Sequence, residues 1–527
     1  MAGWDEGYVS DVGYTMGYYG DMNPLRMRLA LLHAGWHAPD MDTACELGFG
    51  QGLSINLHAA GSPVQWWGTD FNPAQASFAR GLAQAAGAGA QLFDDAFAEF
   101  AARPEVPEFD CITLHGIWSW VSEKNRALIV DFIRRKLKVG GVAYVSYNVQ
   151  PGWASFAPMR DLVALHAATL GAPGQGSLQR ARVALEFAQS VLAVNPLYLR
   201  ANPLVERRVK DVLEKDMGYV AHEYLNQDWH PMLFADIARE LDGAKLQFAC
   251  SARLLDHVHI MHLTTEQQAL LAGIGDTVLR ETTRDFMVNQ QFRADLWVKG
   301  GRRLSASERA RRLGDERVLL TQPPSVVLEG KLNSVLGEAK FKPEVYGPVL
   351  QALADHLPHT MREVAQSAAK DGLDTATVEQ AVVVLAGAGR LISVADDTDT
   401  ARALESVRRL NAELLQRQIE GVGVDYLASP VLGGGFHVGS FHQLLLTAMQ
   451  QPGMNKLGVD NSADWARWVW RVMESRNQRV VQGGKTLATA EEALTALTEQ
   501  AGQFAREALP ILRALRIVSD GCAKPKK

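Results

Sequence analysis

Ala44-Cys45-Glu46-Leu47-Gly48-Phe49-Gly50-Gln51-Gly52, followed by Gly68-Thr69-Asp70-Phe71, decides the fold. The first stretch reads as the end of a buried strand, a Gly-x-Gly-x-Gly turn and the start of a helix. The second reads as a neighbouring strand that ends in an acid. Glycine reaches backbone dihedrals that other residues resist and lets a ligand approach the main chain closely. An acid at the end of the next strand accepts the hydroxyls of a ribose. Asp70 follows Gly48 by 22 residues, room for one helix and one strand. A glycine turn alone is weak evidence, so the case rests on its surroundings.

Those surroundings form an ordered series. Phe93-Asp94-Asp95-Ala96 follows as a third turn, and Phe109 to His115 reads as a fourth strand. Arg135-Lys136-Leu137-Lys138-Val139-Gly140-Gly141 closes a helix and leads into a fifth strand through Ser146. Together these strings resemble the motifs of class I S-adenosylmethionine (AdoMet) methyltransferases. Nicotinamide-binding folds space their glycines as Gly-x-Gly-x-x-Gly; here the third glycine comes one residue sooner, and an acid opens the motif. The resemblance implies a Rossmann-like, seven-stranded α/β sheet with AdoMet as cofactor. It assigns Glu46, Gly48, Gly50, Gly52, Asp70, Phe71, Asp95 and Ala96 to the cofactor, with Glu46 near the methionine end.

Composition narrows the class. A chain of 527 residues is too long for one core. The net charge of −6 argues against a dedicated nucleic-acid binder. Cysteines 45, 111, 250 and 522 lack metal-ligand spacing, so buried thiols in a reducing compartment are expected. Residues 1–20 carry no apolar signal core, and no apolar run reaches 18 residues. A cytoplasmic bacterial protein without membrane insertion is the expectation.

Along the chain, Pro24 starts a helix over 24–38, and strands are expected at 42–47, 65–69, 90–93, 109–115 and 142–147. A class I sheet needs two more strands. Lys245–Leu254 and His257–His262 are the candidates. The methyltransferase domain is thus read as 1–154 with 228–265, interrupted by a helical cap at 155–227 that lies where it can cover the acceptor. A polar, helical middle region occupies 266–335 and ends at Pro323-Pro324. Residues 336–400 resemble a winged helix, but its third helix carries Thr375, Thr377, Glu379 and Gln380 with no base, so it is not expected to read DNA. Residues 401–527 read as a mostly helical C-terminal region. The part beyond 336 is expected to be a separate module that recruits a partner.

More distinctive strings follow. Tyr14-Thr15-Met16-Gly17-Tyr18-Tyr19, His115-Gly116-Ile117-Trp118-Ser119-Trp120, Ser146-Tyr147-Asn148, Pro151-Gly152-Trp153 and Ala221-His222-Glu223-Tyr224 are among them. They resemble bacterial methyltransferases with a methyltransferase regulatory domain, a group that includes rickettsial protein-lysine methyltransferases acting on outer-membrane proteins. The resemblance covers roughly residues 10–300 and implies a lysine acceptor on a protein partner. It leaves room for a homodimer. Tyr14 and Tyr18 are expected to close over AdoMet. Trp118, Trp120 and Tyr147, with Trp153, fall at the ends of the fourth and fifth strands, where an open sheet places its crevice. Aromatic rings there hold a cationic amine by cation–π contact. His115 is a candidate base or AdoMet contact; His222 and Glu223 lie at the close of the cap. Three other readings stay open: a small-molecule methyltransferase, a nucleic-acid amine methyltransferase, and a non-catalytic AdoMet-binding scaffold. The motif that nucleic-acid amine methyltransferases typically carry after the fourth strand, an Asn/Asp-Pro-Pro-aromatic string, is replaced here by His115-Gly116-Ile117-Trp118.

Overall fold

The computed structural model describes residues 7–13, 16–172, 174–454, 461–483 and 485–518. Cys522 and the Lys524–Lys527 tail lie outside the described residues. Seven strands form the central sheet: β1 (Thr43–Leu47), β2 (Gln65–Thr69), β3 (Gln91–Phe93), β4 (Phe109–Leu114), β5 (Leu137–Asn148), β6 (Leu246–Ser251) and β7 (Phe292–Lys299). Their spatial order is β3-β2-β1-β4-β5-β7-β6. The first five are parallel, and β7 runs antiparallel to both β5 and β6. The order turns back between β1 and β4, and the crevice of such a sheet opens at that switch point beyond the strands' carboxyl ends.

Helices alternate with the strands. They are α1 (Pro24–His33), α2 (Leu53–Gly61), α3 (Pro73–Ala86), α4 (Phe97–Ala102) and α5 (Glu123–Lys136). Local sequence starts each cleanly. Asn23 and Asn72 accept hydrogen bonds from the first free amides of α1 and α3, ahead of Pro24 and Pro73 at the first helical positions. Ser122 does the same for α5, and three basic residues close that helix.

The seventh strand corrects the reading of the sequence. His257–His262 forms two short 3₁₀ turns (Leu254–His257 and His259–Met261), and Ile260 is exposed. The missing strand is β7, inside the stretch read as helical, so the sheet runs to Lys299 rather than ending by 265. Its Arg293 and Asp295 disguised it as polar. Both are buried: Arg293 pairs with Asp285, Asp295 and Glu281, and the Tyr147 hydroxyl donates to Asp295. A buried ion cluster of this kind makes a core strand look amphipathic.

After the short helix α6 (Gln150–Trp153), the cap has five helices: α7 (Ala157–Leu170), α8 (Ser177–Ala193), α9 (Leu197–Ala201), α10 (Leu204–Leu213) and α11 (Met217–Leu225). They share a core of their own that includes Phe156, Leu185, Val209 and Tyr224. Helix α12 (Phe234–Asp242) then leads into β6.

Beyond β7, a strand at Arg317–Leu320 pairs with His359–Thr360 and Leu391–Ser393, and helices Pro343–Ala352, Met361–Ala368 and Thr375–Gly387 complete a winged-helix-like unit. This C-terminal half is not a separate body. Leu53, Leu57 and Ala60 of α2 and Leu82 and Ala86 of α3 share one core with Val407, Leu410 and Leu414 of the helix Asp397–Glu420 and with the hairpin Tyr426–Ser429/Gly434–His437. A Cβ on Gly61 would lie 2.4 Å from the Gly434 nitrogen. Every residue of α2 is buried. Among the described residues, no helix is long and apolar enough to cross a membrane, and no group of three or more acidic, histidine or cysteine side chains is arranged to hold a metal.

Candidate active site

The first turn runs through the left-handed backbone region that favours glycine. Gly48, Gly50 and Gly52 have φ of 72°, 58° and 69°. A Cβ at Gly48 would stand 2.3 Å from Ile117 Cδ1, and one at Gly52 2.4 Å from Ala79 Cβ. Asp70 is fixed beside this turn: its two carboxylate oxygens accept from the Gly50 and Asn72 amides at 2.8 and 3.0 Å. Burial nevertheless pushes it up to about 6. Glu46 lies deeper. Burial, reinforced by the negative field of Asp70, pushes it up to about 8. Among the described residues its Oε2 has no hydrogen-bond partner.

These groups line one end of a cavity of about 860 Å³. Phe71, Asp95 and Ala96 line it too, with the Asp95 carboxylate paired to Arg103. An adenosyl group bearing a cationic sulfur fits this donor set. The glycine turn admits close approach, Asp70 is an acceptor held in place, and Glu46 is an orphaned carboxyl that a cation would satisfy. His115 lies at the end of β4. Its ring stacks on Tyr19 with centroids 3.7 Å apart, and its Nδ1 faces the Tyr144 hydroxyl at 2.8 Å. Burial first, then the nearby Arg253, pushes His115 down to about 3, so its imidazole stays neutral and is a poor proton acceptor.

The other end of the cavity is aromatic. Tyr8, Tyr19, Trp120, Trp153 and Tyr219 line it, with Asn148, Glu223 and Asn226. The N-terminal segment is stitched to the cap to form this wall. Val9 N donates to Asn226 Oδ1 at 2.8 Å, Ser177 N donates to Asp11 Oδ2 at 2.9 Å, and His222 Nε2 lies 3.0 Å from the Val12 carbonyl. Tyr8 meets Phe71 edge-on at 5.7 Å and His222 at 5.5 Å, so it bridges the two ends.

Three expected residues are placed elsewhere. Trp118 is fully buried in the core under β4 and β5 and does not line the cavity. Tyr147 is likewise buried, with its hydroxyl spent on Asp295. Side chains alternate along β5, so Tyr147 points to one face while Ser146 and Asn148 point to the other; Asn148 is the residue that reaches the cavity. Tyr18 turns away from the cofactor end and packs between His58 and Tyr426. Its neighbour Tyr19 takes the cavity position. Tyr14 lies outside the described residues. Tyr8 carried no motif signal, because it depends on a contact with a segment more than 200 residues away.

A family model described as a predicted methyltransferase regulatory domain matches residues 216–299, the span from α11 through β7. The uncharacterized protein sll1526 of Synechocystis is 36% identical over 520 residues, covering 98% of this chain and 99% of that one. This chain therefore belongs to the bacterial class I AdoMet-dependent methyltransferases with a methyltransferase regulatory domain. The uncharacterized protein RP789 of Rickettsia prowazekii is 25% identical to the methyltransferase over 311 residues, 55% of this chain and 52% of that one. In fold, the methyltransferase matches PKMT2 from Rickettsia typhi, solved in complex with AdoHcy, with a TM-score of 0.68, 18% identity and coverage of 96% and 99% of the two chains.

Proposed function

We propose that this methyltransferase methylates the side-chain amine of lysine in a protein substrate. One observation supports the reading above others: a single cavity joins the glycine and carboxylate cradle to an aromatic chamber walled by Tyr8, Tyr19, Trp120 and Tyr219. When bound, AdoMet supplies a methyl group on a cationic sulfur. Glu46, Gly48, Gly50, Gly52 and Asp70 would hold it. The chain's own task is then to present a neutral amine in line and exclude water. A free lysine has a pKa near 10.4, so deprotonating it at pH 7 costs roughly 4–5 kcal/mol. Burial in an aromatic chamber lowers that cost. The name of the rickettsial neighbour agrees with a lysine acceptor.

The test is mass spectrometry of the product formed from labelled AdoMet and bacterial lysate. A methyl on a lysine nitrogen is the expected outcome. A methyl on a small metabolite, an oxygen or a nucleobase would replace this acceptor while leaving the enzyme class intact.

A further inference from the structure

Tyr219, Glu223 and Asn226 all line the cavity and are spaced at i, i+4 and i+7 along α11 and its end, so one face of this helix forms the chamber wall. Two of the three are accounted for structurally. Asn226 is tied at both ends of its amide, to Val9 N and to the His222 carbonyl. Tyr219 is an aromatic wall. Glu223 is different: among the described residues no hydrogen bond and no ion pair within 4 Å holds its carboxylate. The nearby cations are engaged elsewhere or more distant. Arg160 donates to the Asn226 carbonyl at 2.6 Å, pairs with Asp161 and lies over the Trp229 ring. Arg208 lies 3.9 Å over Trp153. Lys215 faces the Tyr219 ring at 5.3 Å. Asp228 is paired with His230.

The position of this carboxylate within the cavity is informative. Tyr8 feels the negative fields of both Asp70 and Glu223, and Tyr19 those of both Glu46 and Glu223. Each tyrosine is therefore close both to an acid of the glycine-turn end and to Glu223. Glu223 lines the cavity from α11, and the titratable and charged groups around it are Tyr8 and Tyr19 of the N-terminal segment, Tyr219 and Tyr224 of its own helix, Lys215 just before that helix and Arg160 of α7.

We infer that the Glu223 carboxylate binds the incoming ammonium of the acceptor and takes its proton. This rests on the amine reading above and deepens it. The step balances within the site: an N–H bond of the ammonium breaks, an O–H bond forms on Glu223, and the electron pair stays on nitrogen as the lone pair that attacks. The proton then leaves to solvent, and the carboxylate is restored for the next turnover. Burial pushes Glu223 up to about 7, with Lys215 and Arg160 opposing, which suits a base that works near neutral pH. His115, held near 3, does not compete for the role.

The experiment uses the full-length protein saturated with AdoHcy, with butylammonium as the probe and 1-butanol as its uncharged control, followed by saturation-transfer NMR. Wild type should bind butylammonium in preference to butanol, and Glu223→Gln should lose that preference while its AdoHcy affinity stays within about twofold. The second arm measures methyl transfer to poly-L-lysine. Glu223→Gln should lower it by roughly 10²- to 10⁴-fold at pH 7. The wild-type rate should rise through pH 7 and level off, whereas the variant should lack that plateau. Glu223→Asp should recover part of the rate. Equal probe binding by wild type and Glu223→Gln, or no binding by either, overturns the assignment. Unchanged transfer by the variant does so as well. A wild type that discriminates butylammonium but methylates no lysine keeps Glu223 as a cation site and removes the lysine reading alone.

Discussion

The two ends of the cavity are made by different means. The cofactor end uses short turns in which neighbours in sequence are neighbours in space: Glu46 to Gly52, Asp70 to Asn72, and Asp94 to Ala96. It is made of backbone amides, positive-φ glycines and two carboxyls, of which Asp70 is fixed by the amides and Glu46 is not. The aromatic end, the proposed acceptor side, draws Tyr8, Trp120, Trp153 and Glu223 from four distant segments and is made of side chains. A site made of turns tolerates little change, because a single Cβ blocks it. One made of converging side chains can be altered residue by residue and leave the fold standing.

The largest expected effect comes from removing support behind the cofactor end. Leu53 and Leu57 of α2 are covered by the helix Asp397–Glu420 and its hairpin, and Ser406 Oγ donates to the Ala60 carbonyl at 2.7 Å. Exposing a buried leucine costs about 1.5–3 kcal/mol, and several residues would be exposed together. A chain ending near residue 330 should therefore fail to bind AdoHcy and should melt without a cooperative transition by circular dichroism. A soluble truncation with normal AdoHcy affinity would show that the C-terminal half is dispensable to this end of the cavity.

Next comes Gly48→Val. It forces a β-branched residue to a φ of 72° and drives a Cβ to 2.3 Å from Ile117. Strain of this kind is worth about 1–3 kcal/mol before the clash is counted. AdoHcy affinity measured by calorimetry should fall by about 100-fold or more, with the far-ultraviolet spectrum unchanged.

Glu46→Gln should separate affinity from stability. In the folded protein the Glu46 carboxyl titrates near 8, above an ordinary glutamate near 4.5. The folded state thus holds more protons than the unfolded state between these values, and stability falls as pH rises through that window. If half of the shift is realised, the charge costs about 2 kcal/mol at pH 8. The glutamine variant should melt higher than wild type at pH 8, and the difference should vanish by pH 4. The same change removes an acceptor for a cationic ligand, so AdoMet affinity should fall by about 1.5–3 kcal/mol, roughly 10- to 150-fold. Equal melting temperatures at pH 8 would mean that Glu46 is solvated or paired when the site is empty.

This contrast also explains what could be read in the sequence. Strands β1 to β5, the glycine turn and Asp70 were legible because each depends on contiguous residues with a fixed period. Strand β7 was not, because Arg293 and Asp295 are buried by pairing with each other and with Asp285, and the sequence gives no sign of that pairing. The aromatic residues of the acceptor end were legible by type and only partly by position. Trp120 lines the cavity, while Trp118, two residues earlier on the same 3₁₀ turn, is buried beneath it. Tyr18 and Tyr19 are adjacent in sequence, yet Tyr18 packs against His58 and Tyr426 while Tyr19 stacks on His115. A motif string marks such a segment, but side-chain direction is decided by packing against elements far away in the chain.

The smallest expected effect is the one that tests this division most directly. Trp120 lines the cavity and leans on Trp229, with ring centroids 6.3 Å apart, and Trp229 in turn meets Trp153 edge-on at 5.1 Å. Arg208 already covers a face of Trp153, which leaves Trp120 better placed than Trp153 to offer its ring to an incoming cation. A cation–π contact of this kind contributes about 0.5–2 kcal/mol. Trp120→Ala should therefore reduce kcat/KM for the acceptor by roughly 2- to 30-fold. AdoHcy affinity should stay within about twofold, because Trp120 packs in the aromatic wall against Trp229. Trp120→Phe should recover most of the rate, since it keeps an aromatic face. A loss of AdoHcy affinity that matches the loss of rate would show that the two ends are coupled through this ring, and that the cavity works as one site rather than two.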